Sequence, residues 1–144
     1  MDSLSPEQRS HQMGRIRTHG TAPELMVRSI LRAMGIKFRV RAPHLPGSPD
    51  LFLPDKRLVL FVHGCFWHHH PACVKAYIPK TRRRFWLAKF EANRRRDQRV
   101  CRVLRRRGYS VAIVWECQLT DRMRATRTIE SRLHMIDARR GQSR

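Results

Sequence analysis

Residues 57–73 read Arg-Leu-Val-Leu-Phe-Val-His-Gly-Cys-Phe-Trp-His-His-His-Pro-Ala-Cys, and the rest of the chain is best interpreted outward from them. The stretch between Arg57 and His63 is continuously apolar, which is typical of a strand buried inside a sheet. Residues 64–73 then hold two cysteines, three consecutive histidines and a Phe-Trp pair. A loop of this composition contains more metal ligands and aromatic rings than packing requires. We therefore expect the functional site to lie at the end of this strand.

The segments on both sides predict a small mixed α/β fold that forms one domain over residues 1–144. Strand patterns, either alternating or continuously apolar, occupy residues 36–41, 51–53, 57–63 and 109–115. Helical patterns occupy residues 5–17, 21–34, 81–107 and 121–138. Thr21 and Glu24 have the spacing of a capping box at the start of the second helix. The basic tail, residues 139–144, is predicted to be disordered.

The charge of the chain is extreme, because 31 Lys and Arg residues against 11 Asp and Glu residues give a net charge of +20. A polyanion is the natural partner for such a charge, since neutralising its phosphates releases condensed counterions. A ribosome- or membrane-surface protein is the less favoured alternative, because the basic residues are spread over helices that also carry apolar stripes. No apolar run long enough to cross a membrane and no signal-peptide pattern occur, so we expect a cytoplasmic protein without a membrane partner.

Clustered cysteine and histidine in a reducing cytosol favour metal binding over disulfides. A tetrahedral Zn²⁺ site is predicted from Cys65, His70, Cys73 and Cys117. Four protein ligands leave no open position, so this zinc is expected to be structural. His69 is an alternative to His70, because spacing alone does not separate them, and Cys117 is alternatively a buried small side chain. Cys101 lies in a helical pattern and is expected to be a packing thiol.

A second site is predicted around Asp50, which follows a Pro-Gly-Ser-Pro turn and begins a strand. Carboxylate oxygens and a backbone carbonyl can hold Mg²⁺ against a phosphate, and an imidazole can accept the proton of the attacking water. His63 and His68 are not needed for zinc, so they remain available for proton transfer or phosphate contact. Glu24 adds a further acid, although a capping box explains it equally well. An aspartate after proline is otherwise an ordinary turn residue.

The aromatic residues Phe66, Trp67 and Trp86 lie among basic residues, a combination that suits stacking on bases or wedging between them. In a loop so rich in ligands, Phe66 and Trp67 are not expected to be buried together. The alternative is that these rings cover the core beneath the loop. Trp115 ends an apolar strand and is expected to belong to the core.

The chain resembles the very short patch repair (Vsr) endonuclease family. The matching segments are residues 13–17, 21–24, 45–50, 63–70, 85–86 and 114–117, with Lys89, Asn93 and Asp97. The resemblance implies a restriction-endonuclease-like core, with a mixed central sheet flanked by helices and a structural zinc site. It also implies a nick in one strand of double-stranded DNA, 5′ to the thymine of a T:G mismatch. Such mismatches arise when 5-methylcytosine deaminates, so a cytosine-5 DNA methyltransferase is the implied functional partner, in a bacterial cytoplasm and on the nucleoid when DNA is bound.

The resemblance also implies roles for individual residues. Asp50 and the backbone carbonyl of Val62 would hold Mg²⁺, His68 would be the general base, and His63 and Glu24 would act around the phosphate. The implied zinc ligands are Cys65, His70, Cys73 and Cys117, with His70 in place of His69. The implied DNA contacts are Met13 and Ile16 on a clamping N-terminal helix (residues 1–20), the wedge residues Phe66, Trp67 and Trp86, and the mismatch-reading residues Lys89 and Asn93.

One departure from the family pattern is Pro71-Ala72, where a shorter link and often another histidine are usual. We expect the zinc loop to close differently there without losing the site. Two other classes of function remain open at this point: a zinc-stabilised DNA-binding module without catalysis, and a related nuclease that cuts both strands of other DNA. A monomer is expected, because a single-strand nick at an asymmetric mismatch needs only one active site.

Overall fold

The structure, a computed structural model, describes residues 20–142. Within this range, one mixed sheet has the strand order β1-β2-β3-β4. The strands are β1 (Arg39–Val40), β2 (Leu51–Leu53), β3 (Leu58–His63) and β4 (Ser110–Trp115). The β1/β2 and β2/β3 pairs are antiparallel, and the β3/β4 pair is parallel. The helices are α1 (Ala22–Ala33), α2 (Arg83–Arg106) and α3 (Arg122–Gln142), and short 3-10 turns cover Pro54–Lys56 and Glu116–Gln118.

Helices cover both faces of the sheet. Leu58 and Leu60 of β3 belong to one core cluster, together with apolar residues of α1 and α3. Val59 and Phe61 belong to a second cluster, together with Leu104 of α2. Successive side chains of a strand point to opposite faces, so a strand that is buried on both faces reads as an unbroken apolar run. The apolar stretch at the start of residues 57–73 is therefore explained by the central position of β3.

The parallel pairing of β3 with β4 determines where the site forms. His63 at the end of β3 lies opposite Trp115 at the end of β4, so both strands finish at the same edge of the sheet. α2 runs between these strands in the sequence, and the loop of residues 64–82 connects β3 to α2 at this edge. In α/β sheets the carboxyl ends of parallel strands are where ligands bind.

The structure confirms the predicted mixed α/β architecture and corrects three details. β1 is only two residues long instead of spanning 36–41, and both of its residues are exposed at the edge of the sheet. Thr21 makes no side-chain cap; instead, Glu24 Oε2 accepts a hydrogen bond from the Gly20 N–H at 2.9 Å. The predicted disordered tail is wrong for residues 139–142, which continue α3. Arg140 fastens this end by donating to Ser110 Oγ and to the Arg57 carbonyl oxygen, both at 3.3 Å.

The predicted N-terminal helix, with Met13 and Ile16, lies outside the described residues. Over residues 20–142, no helix is long and apolar enough to cross a membrane.

Candidate active site and metal centre

A cleft of about 800 Å³ opens at the edge where β3 and β4 end. Four predicted site residues line it together: Glu24, Asp50, His63 and His68. They come from four different places: the first turn of α1, the residue before β2, the end of β3, and the loop that follows β3. The mixed sheet therefore collects side chains that are far apart in sequence.

Asp50 and Glu24 form a pair of carboxyl groups inside this cleft. Asp50 Oδ2 accepts a hydrogen bond from the Val62 N–H at 2.6 Å, and the carboxyl group of Glu24 lies close enough to raise the pKa of Asp50. The Glu24 residue is only 4% exposed, and its Oε2 lies 3.4 Å from Arg28 Nη2. Burial, together with the charge of Glu24, raises the pKa of Asp50 to about 7, although the Val62 N–H opposes the shift.

Arg28 offsets the charge of Glu24, but ionising Asp50 as well would put a second negative charge in the same cleft. A hard divalent cation with oxygen ligands offsets that charge, so the donor set fits Mg²⁺. The structure places the N–H of Val62 against Asp50, and metal binding by the Val62 carbonyl remains a prediction.

His63 and His68 stack on each other beside the carboxyl pair. Their ring centroids are 3.7 Å apart and the ring planes differ by 3°. Burial, with help from the charge of His68, lowers the pKa of His63 to about 4, so His63 is neutral at pH 7. His68 Nδ1 lies 2.7 Å from Asp97 Oδ2 on α2. Burial works against ionisation of Asp97, but the hydrogen bond and charge of His68 outweigh it and hold the pKa of Asp97 below its ordinary value.

The contact with Asp97 fixes which nitrogen of His68 can act as a base. An ionised carboxylate only accepts hydrogen bonds, so Nδ1 of His68 must carry the proton. The lone pair of the neutral ring is then on Nε2, which is the arrangement of an oriented general base.

The side chains of His63, His68 and Asp97 are also close enough to suggest a metal site. Imidazole binds metals through a lone pair in the ring plane, and two parallel rings 3.7 Å apart share no such plane. An ion bound to both rings would lie well outside the plane of at least one. This group therefore suits proton transfer better than metal binding.

The structure brings the four predicted zinc ligands together on the other side of the same loop. The ligand atoms of Cys65, His70, Cys73 and Cys117 all lie within 4.8 Å of one another. His70 Nδ1 is 3.8 Å from Cys65 Sγ and 3.5 Å from Cys117 Sγ. Bonds of about 2.3 Å from sulfur in a tetrahedral Zn²⁺ site put neighbouring ligand atoms about 3.5 to 3.8 Å apart. Three thiols and one imidazole at these distances fit Zn²⁺.

Backbone geometry explains why His70, and not His69, reaches the cluster. His69 has a left-handed φ of 49°, and its ring stacks on Phe90 at 4.5 Å, away from the cysteines. The link at Pro71-Ala72 closes through a second left-handed residue, because Ala72 has a φ of 54° and turns the chain back to Cys73. Such a conformation costs a non-glycine residue about 1 kcal/mol. With Pro71-Ala72 in place of the family pattern, the turn still keeps the four ligands together.

An aromatic cluster lies between the cleft and the start of α2. Phe66 is its centre, with its ring 5.1 Å from Trp67, 5.3 Å from Trp86 and 5.2 Å from Phe90. Phe66 and Trp67 are both half-buried, so the expectation that they could not be buried together is only partly met. Asn93, which is buried, donates from Nδ2 to the Trp67 carbonyl oxygen at 2.9 Å. This contact fixes the backbone of the aromatic loop on α2.

Trp115 is half-buried instead of belonging to the core. Its ring stacks on His70 at 4.1 Å and meets His63 edge-on at 5.3 Å, so it separates the zinc cluster from the histidine pair. Lys89 is exposed on α2. A contact of Lys89 or Asn93 with the mismatched bases remains a prediction.

Two residues of the site were given no role from the sequence. Asp97 matches the family pattern together with Lys89 and Asn93, and this match was the available signal. Glu116 was given no role, yet its Oε1 accepts a hydrogen bond from the Cys65 N–H at 3.1 Å and it also lines the cleft. Its position beside the ligand Cys117 was the only hint in the sequence.

Comparisons with known proteins agree with this geometry. A family model described as DNA mismatch endonuclease Vsr matches residues 1–75. The chain is 50% identical over 120 residues to the type II nicking enzyme V.XorIIP of Xanthomonas oryzae pv. oryzae. This alignment covers 83% of this chain and 88% of that protein. It is 45% identical over 118 residues to the DNA mismatch endonuclease Vsr of Escherichia coli K12. That alignment covers 82% of this chain and 75% of the relative.

Among solved structures, the catalytic domain of the homing endonuclease I-Bth0305I matches with a TM-score of 0.54 and 20% sequence identity. The match covers 81% of this chain and 98% of that domain. At this identity the likeness concerns the fold alone, and it confirms the restriction-endonuclease-like core predicted from the sequence.

Proposed function

Because the chain belongs to the Vsr family of DNA mismatch endonucleases, we propose that it nicks one strand of duplex DNA 5′ to the thymine of a T:G mismatch, with Mg²⁺ as cofactor. The observation that carries the proposal is the cleft in which the buried Glu24 and the half-buried Asp50 lie beside an oriented imidazole. Phosphodiester hydrolysis needs both: oxygens that hold a divalent cation against the phosphate, and a base for the attacking water.

Each group in the cleft has a distinct part in this mechanism. Asp50, with Glu24 and the Val62 carbonyl beside it, would hold Mg²⁺, which when bound supplies positive charge at the scissile phosphate. His68 accepts the proton of the attacking water at Nε2, while Asp97 stabilises the resulting imidazolium through Nδ1. His63 stays neutral near pH 7 and offers a hydrogen-bonding group to the phosphate.

The neighbouring cluster has a structural role in the proposal. Cys65, His70, Cys73 and Cys117 would hold Zn²⁺ and so fix the loop that carries His68 and Phe66. All four ligands come from the protein, so no position is left for water or substrate. The zinc is therefore scaffold, and the chemistry belongs to the oxygen-lined cleft.

Selectivity for a mismatch would come from the aromatic cluster. Inserting rings between base pairs costs a few kcal/mol per step, and a mismatched pair lowers that cost. Phe66, Trp67 and Trp86 would form the wedge, with Lys89 and Asn93 reading the displaced pair. Met13 and Ile16, on the N-terminal segment, would approach from the opposite groove.

The test is strand-resolved cleavage of a duplex with a central T:G pair, with T:A and C:G duplexes of the same sequence as controls. With Mg²⁺, we expect a nick only in the thymine strand of the T:G duplex, and no product from Asp50→Ala or His68→Ala. Binding without any cleavage would favour a DNA-binding module. Cleavage of both strands of matched DNA would favour a different nuclease.

We further infer that the protein works beside a cytosine-5 DNA methyltransferase, because deamination of 5-methylcytosine produces the T:G substrate. One strand is cut by one cleft, which supports action as a monomer. Bacterial relatives that act on DNA support a place in the bacterial cytoplasm, on the nucleoid when DNA is bound.

A further inference from the structure

The outer face of α2 carries a row of arginines that has no role in the fold. Successive residues of an α-helix are about 100° apart, so residues three or four positions apart share a face. This spacing aligns Arg95, Arg99, Arg102 and Arg106, the arginine stripe, all of them exposed. The buried residues of α2 are Phe90, Asn93, Cys101 and Leu104. They lie on the opposite side of the helix, so the stripe points away from the core.

Three of the four arginines of the stripe have no ionic partner within the described part of the chain. Arg95 pairs with Glu91, with 3.0 Å between Nε and Oε1. Arg99, Arg102 and Arg106 make no ion pair or side-chain hydrogen bond with any residue of 20–142. Like charges three or four positions apart destabilise a helix. The helix dipole accounts for the basic residue Arg106 in the last turn, but it does not favour Arg99 and Arg102 further back.

The helix that carries the stripe also borders the cleft, because Arg96 and Asp97 of α2 line it. The stripe itself lies on the outer face of this helix, where DNA that extends beyond the cleft can reach it. From Arg95 to Arg106 the helix rises about 16 Å, since each residue adds about 1.5 Å. A DNA duplex carries phosphates every 3.4 Å along each strand, so the stripe matches the length of about five base pairs.

We propose that the arginine stripe binds the phosphate backbone of the DNA that flanks the cleavage site. The ligand is a duplex polyanion, recognised by its charge and not by its bases. The inference depends on the proposed function only in placing the mismatch in the cleft. If the stripe binds flanking phosphates, the affinity of the protein for DNA depends on the length of the flanking duplex and on salt, whether or not a mismatch is present.

The test compares two variants that remove the same charge at the same spacing from exposed helix faces. Arg99→Gln/Arg102→Gln neutralises the stripe, and Arg124→Gln/Arg127→Gln is the matched control on α3, which packs on the other face of the sheet. Fluorescence anisotropy without Mg²⁺ measures the Kd for a long duplex of about 40 base pairs and a short one of about 10, over a range of salt concentrations. Circular dichroism verifies that each variant is folded.

We expect the stripe variant to bind the long duplex on the order of tenfold more weakly at about 0.1 M salt, with a salt slope smaller by about 2. Its affinity for the short duplex should equal that of the wild-type chain, and the control should resemble the wild-type chain on both duplexes. Unchanged binding of the long duplex overturns the proposal. So does an equal loss on both duplexes, or an equal loss in the control, since either shows an effect of net charge alone.

Repeating the titrations with fully matched DNA separates this inference from the proposed function. The flank contact should persist without the mismatch. A wild-type chain that fails to nick T:G DNA contradicts the proposed function, while the length-dependent loss in the stripe variant still supports the stripe. Normal T:G nicking without that loss contradicts only the stripe.

Discussion

The two clusters at the end of β3 both contain histidine, but they differ in their other ligand atoms and in the elements that hold them. The cleft offers oxygens and nitrogens whose protonation is adjusted by burial, as the raised pKa of Asp50 and the lowered pKa of His63 show. Its groups are held by α1, β2, β3 and α2, so it forms as part of the fold. The zinc cluster offers three thiols and one imidazole, mostly from a loop without regular structure.

The same loop borders both sites, with His68 in the cleft and Cys65, His70 and Cys73 in the zinc cluster. The soft ligands would close around a zinc ion and shape the loop, while the hard ligands would stay open to a phosphate. Variants in the cleft should therefore lose activity without losing stability, whereas variants in the zinc cluster should lose both.

The largest expected effect is that of Asp50→Asn. Removing a charge that would hold Mg²⁺ should reduce nicking of a T:G duplex by at least about 10³-fold, since metal stabilisation contributes several kcal/mol. The thermal midpoint should not fall, because an ionised carboxyl group beside Glu24 is unfavourable in the folded chain. Asp55→Asn, at an exposed turn, is the control and should leave nicking unchanged. Normal activity of Asp50→Asn would remove Asp50 from the site.

Cys65→Ser tests the zinc cluster by removing one of its four predicted ligands. Loss of one ligand should release the zinc and lower the midpoint by about 10 °C or more, since metal binding contributes directly to folding. Nicking should fall because the loop that carries His68 loses its shape. Cys101→Ser is the matched control: Cys101 is also buried, but it lies outside the cluster and should leave the zinc content intact. Equal zinc loss in both variants would contradict the assignment.

Asp97→Asn sharpens the description of the cleft. An amide can donate to Nδ1 of His68 and so permit the wrong tautomer, which should lower kcat by about 10²-fold with little change in KM. Glu91→Gln, on the exposed side of the same helix, controls for altered charge on α2. An unchanged kcat in Asp97→Asn, with zinc retained, would show that His68 needs no partner.

The pH dependence of stability is the next smaller effect. Burial and Glu24 raise the pKa of Asp50 from 3.8 to about 7, so in this range the folded chain holds a proton that the unfolded chain releases. Without a divalent cation, this contribution to the free energy of unfolding is fully present below pH 3.8 and is lost as pH rises through about 7. Burial lowers the pKa of His63 from 6.5 to about 4, and its contribution has the opposite slope.

Denaturant unfolding of the wild-type chain and Asp50→Asn at each pH isolates the contribution of Asp50, because His63 is common to both. The wild-type chain should lose stability relative to the variant between pH 4 and 7, the range over which the two pKa values of Asp50 differ. Added Mg²⁺ should reduce the difference. A constant difference across this range would show that Asp50 is not buried as a carboxylic acid.

Asn93→Ala is expected to have the smallest effect. It removes the hydrogen bond to the Trp67 carbonyl, which should cost about 1 kcal/mol and loosen the aromatic loop in the free protein. Tryptophan fluorescence and amide exchange of the loop report this directly. Lys89→Ala, exposed on the same helix, should leave both unchanged in the free protein. Identical loop behaviour in the two variants would exclude a bracing role for Asn93.

Much of the fold could be predicted because its signals are local. The apolar run of β3 and the helical pattern of α2 depend only on neighbouring residues, and the cysteines and histidines of the zinc loop lie within nine residues, 65–73. The pairing of His68 with Asp97 could not be predicted, because they are 29 residues apart and meet only through the packing of α2 on the loop. The end of α3 was misjudged for the same reason, since Arg140 is fastened by Arg57 and Ser110.

Glu24 illustrates most clearly what a local sequence pattern cannot reveal about a side chain. Its spacing from Thr21 predicted a capping box, whereas its side chain instead contacts the Gly20 N–H and the carboxyl of Asp50. The local pattern identified the first turn of a helix correctly. Only the position of α1 against β2 reveals that this turn borders the cleft.

The most direct test of the central claim, that zinc shapes the loop while the oxygen-lined cleft performs the chemistry, is a Mg²⁺ titration of zinc-loaded protein on a strand-labelled T:G duplex. The zinc content is measured by mass spectrometry in the same samples. We predict about one zinc per chain throughout, no nick before Mg²⁺ is added, and a thymine-strand nick that grows with Mg²⁺. Nicking by the zinc-loaded protein without Mg²⁺ would contradict the account.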